Sequence, residues 1–475
     1  MLSHVEIPSR SVLGFEKILG AEVVNELEHT AARLRQRYDG RVIWNVNSTA
    51  TGGGVAELLK SLLAYARGLG IDTRWVVIEG SPEFFRITKR IHNALHGEPG
   101  DGSPLGEAQR AQYDRISSGN AAELCKLVRP GDLVILHDPQ TAGLIAPLRD
   151  RDVRVLWRCH IGADHPSPEA DRGWAFLEPY LRDADGFVFT RAAYVPEVCD
   201  HGRSVIVPPS IDPFTPKNQE LDEATVRAIL AHAGLVADAR GAKPPVVRLE
   251  DGSNCRLERR AQAIREGDAP AWETPLVVQV SRWDRLKDPV GVLDGFLEAL
   301  GRPEVDGAQL LLVGPDVQGV TDDPEGAEVF HEVEARWRDL SEVQRRRVQL
   351  VSLPMDDIAE NALMVNAIQR HATVMLQKSL REGFGLTVTE AMWKARPVIG
   401  SAVGGIQEQI EHGVSGWLLT DPTDPVEFAT ALSRILGDPE LARRLGKNAR
   451  QRAGELFLVL RSLTQYAGLI EWLER

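Results

Sequence analysis

Two carboxylates, Glu382 and Glu390, flank the stretch Glu382-Gly383-Phe384-Gly385-Leu386-Thr387-Val388-Thr389-Glu390. The run 372–377 before it is apolar and β-branched enough to be a buried parallel strand. Behind it, 389–393 has no Gly or Pro and reads as helix. A strand, a glycine turn and a helix start together make an anion site, because the first helical N–H groups have no intrahelical acceptor. Carboxylates beside such a site suit a ligand that also carries hydroxyls, which points to a sugar attached to a phosphate. Spacing disfavours a glycosidase pair: eight residues of continuous helix span about 12 Å, against the ~5–5.5 Å a retaining pair needs.

Other chemistry-bearing residues fall at similar places. Gln279-Val280-Ser281-Arg282-Trp283-Asp284-Arg285-Leu286-Lys287-Asp288-Pro289 follows a clean strand pattern. Arg282 and Lys287 there can clamp a pyrophosphate with one forked and one point charge. Asp284 and Asp288 offer the plainer alternative of local surface ion pairs. Asn47-Ser48-Thr49-Ala50-Thr51-Gly52-Gly53-Gly54 ends another strand, and its glycines let backbone approach a ligand and supply N–H donors. It lacks the lysine of a P-loop and the spacing of a dinucleotide fingerprint, so a doubly wound dehydrogenase is disfavoured. His137-Asp138-Pro139-Gln140 and Trp157-Arg158-Cys159-His160-Ile161 are two further polar strand ends. Asp138 and Gln140 suit sugar hydroxyls, although Asp138 could instead cap the helical segment after it. His160 is either a ligand-facing ring or a satisfied core histidine. The D-x-D pairs at Asp150/Asp152 and Asp183/Asp185 precede strands rather than follow them, so no motif requires a metal.

The elements that must position these residues alternate between β and α. Strands are predicted at 41–47, 73–78, 132–137, 153–159, 186–189 and 204–207, with helices at 54–69 and 119–128. A second series runs 276–281, 309–313, 348–352, 373–377, 397–400 and 416–419, after a helix at 219–234. This pattern predicts two doubly wound parallel sheets, each covered by helices on both faces. Ligands of such sheets sit beyond the carboxyl ends of the strands, where the candidate residues cluster. The proline-rich Pro208-Pro209-Ser210-Ile211-Asp212-Pro213 marks a linker, dividing the chain into domains at 1–212 and 213–454. The amphipathic stretch 452–475 is expected to pack back, as a helix at 455–475, on the first domain. The charged segment 248–267 reads as an inserted excursion. A net charge of −13 disfavours a nucleic-acid or anionic-membrane surface. Four scattered cysteines build no zinc or disulfide framework. No run is long enough to span a membrane, and a cytoplasmic enzyme is expected. A homodimer is compatible with the many amphipathic helices.

Glu382 to Glu390 resembles the E-x7-E motif of retaining glycosyltransferases with the GT-B fold. Asn45-Val46-Asn47-Ser48-Thr49 with the glycines beyond it, 137–140, 157–161, 208–213 and 279–289 together resemble the trehalose glycosyltransferring synthases over nearly the whole chain. The resemblance implies two Rossmann-like domains facing a central cleft. It implies transfer of glucose from an NDP-glucose, such as UDP- or ADP-glucose, to free glucose, giving the α,α-1,1-linked disaccharide trehalose reversibly. Glu382 would bind donor-sugar hydroxyls and Glu390 the ribose. Arg282 and Lys287 would neutralise the diphosphate, aided by the turn at Gly385 and the N–H groups of Leu386 and Thr387. Gly53 and Gly54 would approach the donor phosphates. His160 would lie against the transferred sugar, and Asp138 and Gln140 would hold the acceptor. No cofactor is implied, and magnesium is compatible without being called for by a motif. A trehalose phosphorylase using glucose 1-phosphate and a non-catalytic nucleotide-sugar sensor are the alternatives. Neither the donor base nor the physiological direction is specified.

Overall fold

The computed structural model describes residues 2–50, 53–237, 244–317 and 324–473. The chain divides into two compact units: Met1–Ser210 with Phe457–Arg475, and Ile211–Leu456.

The first unit holds the strands β1 (Ser3–Val5), β2 (Ile43–Asn47), β3 (Thr73–Val77), β4 (Leu133–His137), β5 (Arg154–Cys159), β6 (Gly186–Phe189) and β7 (Ser204–Ile206). They form one sheet in the order β1-β3-β2-β4-β5-β6-β7. Strands β2 to β7 are parallel neighbours, and β2 and β4 are buried along their whole length. Such strands need apolar residues on both faces, which explains the run Leu133-Val134-Ile135-Leu136 of β4, whereas β2 buries Asn45 and Asn47 beside Ile43, Trp44 and Val46. From β2 the chain winds one way to β3, then crosses back to start β4 on the other side. The loops after β2 and β4 therefore diverge, and the crevice beyond that switch point is where an open α/β sheet takes its ligand.

The second unit repeats this logic. Its strands are β8 (Val246–Arg248), β9 (Asn254–Arg256), β10 (Gln262–Ile264), β11 (Leu276–Val280), β12 (Gln309–Pro315), β13 (Val348–Leu353), β14 (Val374–Gln377), β15 (Val398–Ser401) and β16 (Trp417–Leu419). The sheet runs β10-β13-β12-β11-β14-β15-β16, so its switch point lies between β11 and β14. Loop 281–289 leaves β11 and turn 378–385 leaves β14 at that edge.

Both sheets depart from the all-parallel expectation, because β1 pairs antiparallel with β3 and β10 antiparallel with β13. These edge strands are short and only partly buried, so they carry no apolar run to announce them. The excursion 248–267 contributes β10 to the sheet edge, and β8 and β9 form a separate hairpin. It is anchored by the buried Glu360, whose carboxylate accepts from the N–H groups of Glu258 and Arg259 at 3.0 and 2.9 Å and from the Arg259 side chain. The stretch 452–475 is not one helix: Pro439–Leu456 and Val459–Leu473 are separate. The apolar run Leu456-Phe457-Leu458-Val459-Leu460 hides the break, since it contains neither Gly nor Pro. The helix predicted at 119–128 is Glu107–Leu124, which runs through the interior Gly119.

Candidate functional site

In the second unit, the two loops at the switch point are tied together by Gln279, buried on β11. Its Nε2 donates to Lys287 O at 2.8 Å, and its Oε1 accepts from Lys378 N at 3.3 Å. Leu380 N donates to Leu286 O at 2.8 Å. Lys287 is thereby held against turn 378–385, and its Nζ pairs with Glu382 Oε2 at 2.5 Å. The same carboxylate oxygen lies 3.3 Å from Ser379 Oγ and 3.4 Å from Gln377 Nε2. One layer deeper, the fully buried Lys378 pairs with Asp288. Asp288 has φ 49° and caps the helix Pro289–Ala299, accepting from Gly291 N at 3.1 Å. Asp288 is therefore an interior partner rather than a surface one. Arg282 stands apart, its exposed guanidinium 3.3 Å from Asp284.

Gly385 leads into the helix Leu386–Trp393 at φ 83°, a conformation that favours glycine. A Cβ there would meet Glu382 Cγ at 3.2 Å and Ile406 Cγ1 at 3.3 Å. The turn is clamped from behind by the buried Gln409, whose Nε2 donates to Phe384 O at 2.6 Å and Gly385 O at 3.2 Å. Gly405 N donates to Gly383 O at 3.0 Å, and a Cβ on Gly405 would press within 2.6 Å of Phe384 Cα. The amides of Leu386 and Thr387 thus sit in an open first turn on a fixed support. Glu390 lies farther along the same helix, accepting from Gln369 Nε2 at 3.0 Å with Lys217 Nζ 3.7 Å away. Beneath it, burial pushes the Lys394 ammonium down to about 7, with Glu390 opposing; Asn218 Oδ1 accepts from its Nζ at 3.0 Å.

In the first unit, Asp138 directly follows β4 with φ 64° and ψ 175°, a region that is essentially the preserve of glycine. It makes no side-chain cap to the turn Pro139–Leu144, contrary to the capping alternative. Its Oδ1 instead accepts from His160 N at 2.8 Å, so the ends of β4 and β5 are tied together. Burial raises this carboxyl to about 6, against the lowering effect of the His160 amide and Arg158. Burial and the nearby Arg158 charge hold the His160 imidazole well below its ordinary value. Gln140 buries its Oε1 with no hydrogen-bond partner among the described residues, as a side chain meant for a ligand can. Gly53 and Gly54 open the helix Gly53–Gly68, while Thr51 and Gly52 lie outside the described residues.

Within the second unit, then, Lys287, Glu382 and Gly385 form one cluster, with Arg282 and Glu390 outside it. Within the first, Asp138 and His160 are bonded, while Gln140 is hydrogen-bonded to neither. Reading by sequence passed over Gln279, Lys378, Gln409 and Gln369. Polar residues within or beside apolar strands, as Gln279 and Gln377–Lys378 are, were the available signal. Among the described residues no group of three His, Cys, Asp or Glu side chains could hold a metal ion. No described helix is long and apolar enough to cross a membrane.

Residues 45–196 match the family model "Trehalose synthase, N-terminal domain", and residues 359–452 match "Glycosyl transferases group 1". A trehalose synthase of Pyrococcus horikoshii is 35% identical over 461 residues, covering 97% of this chain and 96% of its own. A trehalose synthase of Rubrobacter xylanophilus is 34% identical, covering 98% and 97%. A trehalose phosphorylase of Pleurotus pulmonarius is 28% identical, and the alignment covers 93% of this chain but 58% of that one. Among solved structures, a UDP-forming α,α-trehalose-phosphate synthase of Burkholderia xenovorans superimposes with a TM-score of 0.68 at 16% identity, covering 92% of this chain and 100% of that one. A sucrose-phosphate synthase of Thermosynechococcus elongatus gives 0.59 at 21%, covering 91% and 99%. The fold is GT-B, with two Rossmann-like α/β sheets.

Proposed function

The chain belongs to the trehalose synthase family of glycosyltransferases, and from that premise we propose that it is a retaining glucosyltransferase joining an NDP-glucose to free glucose, giving trehalose and NDP reversibly. The observation that carries this reading is the pairing of Lys287 with Glu382 beside the open helix turn at Gly385. It sets a cation, two free-standing amides and a hydroxyl-binding carboxylate at one strand edge, which is the donor set a sugar diphosphate needs.

In this reading the second unit, assigned as 213–454, takes the nucleotide sugar. Departure of the nucleoside diphosphate builds negative charge, and fixed cations with oriented N–H groups stabilise such a transition state without reorganising. Lys287 neutralises that charge from a position held by Gln279, and Arg282 exchanges Asp284 for the diphosphate. Glu382 orients donor hydroxyls and Glu390 the ribose. The first unit, assigned as 1–212 with the C-terminal helix, takes the acceptor: Asp138 and Gln140 hold its hydroxyls, and Gly53 and Gly54 approach the donor phosphates. His160 lies against the transferred sugar.

This reading gives no carboxylate among the described residues the part of a covalent nucleophile. Retention is therefore assigned to same-face attack, with the leaving phosphate accepting the acceptor's proton. The chemistry draws on no cofactor in this account, and the homodimer and cytoplasmic setting are part of the same proposal.

Product analysis tests the reading. Purified protein is given glucose with UDP-, ADP- or GDP-glucose, and separately with glucose 1-phosphate. Trehalose plus nucleoside diphosphate from a nucleotide donor is the expected result and ranks the bases. Trehalose from glucose 1-phosphate alone moves the protein to the phosphorylases, and donor binding without product makes it a sensor.

A further inference from the structure

Strand β4 ends in a histidine that the proposed chemistry does not use. His137 is buried, and its ring lies edge to edge with that of His160, with centroids 5.6 Å apart and planes 17° apart. Both of its nitrogens are engaged: Nε2 is 3.1 Å from Asn45 Oδ1, and Nδ1 is 3.2 Å from His160 Nε2. A core histidine satisfied by backbone would leave its neighbours indifferent to it. This one bridges β2 to the ring at the end of β5.

The direction of every proton in the bridge follows from its two ends. At one end, Thr73 donates its hydroxyl proton to Ile43 O at 3.0 Å, so towards Asn45 it can only accept. Asn45 meets it with Nδ2 at 3.3 Å, which turns Oδ1 towards His137. His137 must then carry its proton on Nε2, leaving Nδ1 a bare acceptor for His160 Nε2–H. At the other end stands Arg158, a group that only donates. Its Nη2 donates to Val207 O at 2.9 Å, and its Nε lies 3.0 Å from His160 Nε2 and 3.4 Å from Nδ1. With Nε2 protonated, Arg158 donates to the lone pair on Nδ1 at 3.4 Å, and its 3.0 Å approach to Nε2 is a contact between two donors rather than a bond. The opposite assignment, Arg158 donating to Nε2, forces His137 to donate from Nδ1. Its bare Nε2 would then face the carbonyl oxygen of Asn45, two acceptors opposed. Turning the Asn45 amide relieves this only if the Thr73 hydroxyl gives up its 3.0 Å bond to Ile43 O for the longer 3.3 Å contact with Asn45.

We infer that His137 is a positioning residue that, anchored by Asn45, fixes the tautomer and ring plane of His160. Both nitrogens of His160 are then committed, so its ring offers a sugar a fixed surface and no transferable proton. The inference rests on the reading that His160 lies against the transferred sugar.

His137→Phe keeps a flat ring and removes both hydrogen bonds. In the trehalose-forming assay, with whichever nucleotide donor supports turnover, it is expected to lower kcat on the order of 10²-fold while donor KM moves less than about threefold. In a His160→Ala background the same change is expected to cost nothing further, because His137 acts only through His160. In 15N-histidine-labelled protein, His160 is expected to be the Nε2–H tautomer and to become a mixture in His137→Phe. Unchanged kcat, losses that add in the double variant, or an unaltered tautomer would overturn the inference. Wild-type kcat in His160→Ala alone would instead sink the placement of His160, while the spectrum would still report whether His137 sets its tautomer. If His137→Phe does not fold, Asn45→Ala replaces it. It removes the anchor and is expected to lower kcat in the wild-type background and to cost nothing further with His160→Ala, and equal losses in both backgrounds would refute the relay.

Discussion

Replacing Asp138 with Asn separates what this residue does for function from what it costs the fold. The carboxyl is raised by burial from 3.8 to about 6, with the His160 amide and Arg158 pulling the other way. The folded protein therefore binds this proton more tightly than the unfolded chain. By linkage, the contribution of Asp138 to stability is greatest below about pH 4, falls as pH rises towards about 6, and is flat beyond. The full shift is worth about 3 kcal/mol, and partial exposure reduces it to about 1–3 kcal/mol. Asn keeps the oxygen that accepts from His160 N, and it tolerates the positive φ about as well as Asp.

Asp138→Asn is thus expected to be more stable than wild type by about 1–3 kcal/mol near pH 7.5 and equal to it near pH 4. Urea unfolding of both proteins across that range isolates the term, since all other titrations cancel in the difference. Trehalose formation by the variant should fall at least about 10²-fold with a raised acceptor KM, because an amide replaces the charged acceptor of sugar hydroxyl protons. A variant less stable at pH 7.5, or a stability difference that does not change with pH, would refute the burial argument. Intact turnover would remove Asp138 from the acceptor site.

Arg282→Ala should lower kcat/KM for the nucleotide donor by about 10²–10³-fold, with unfolding free energy within about 0.5 kcal/mol of wild type because the side chain is exposed. Gly385→Ala should destabilise by about 1–2 kcal/mol in chemical denaturation, since it places a Cβ at φ 83° and against Glu382. Lys378→Met should cost about 1–3 kcal/mol by leaving the partly buried Asp288 without its cation, and a neutral result would show that the pair is dispensable. Burial lowers Lys394 from 10.5 to about 7, so the unfolded chain binds its proton more tightly and stability should climb as pH rises from about 7 towards 10; Lys394→Met should lose that climb in pH-dependent melts.

What was legible in the sequence was whatever sits in one short stretch. Strand β4, with its apolar run, and the glycine turn before Leu386 announced themselves, as did the alternation that makes both sheets. The edge strands β1 and β10 did not, because three half-exposed residues carry no periodicity and owe their state to a neighbour. Placing the polar residues at strand ends was equally legible, since a parallel sheet delivers its ligand edge at the carboxyl ends wherever the order reverses.

Partner choice is the part that pattern could not reach. Lys287 finds Glu382 across 95 residues, Lys378 finds Asp288 across 90, and His137 finds Asn45 across 92. In each case the two residues stand on or just after strands that neighbour each other at a switch point, β11 with β14 and β2 with β4. The crossover that separates them in sequence is the same feature that brings them together. Two adjacent loops leaving in opposite directions open the crevice, and the side chains at their roots are left to bond across it. A lysine or histidine at such a root therefore has its role set by the facing strand, not by its own neighbours. That is why Asp288 read as a surface ion pair and proved to be an interior one. It is also why Gln279, unremarked within an apolar strand, joins Lys287 to the turn that carries Glu382.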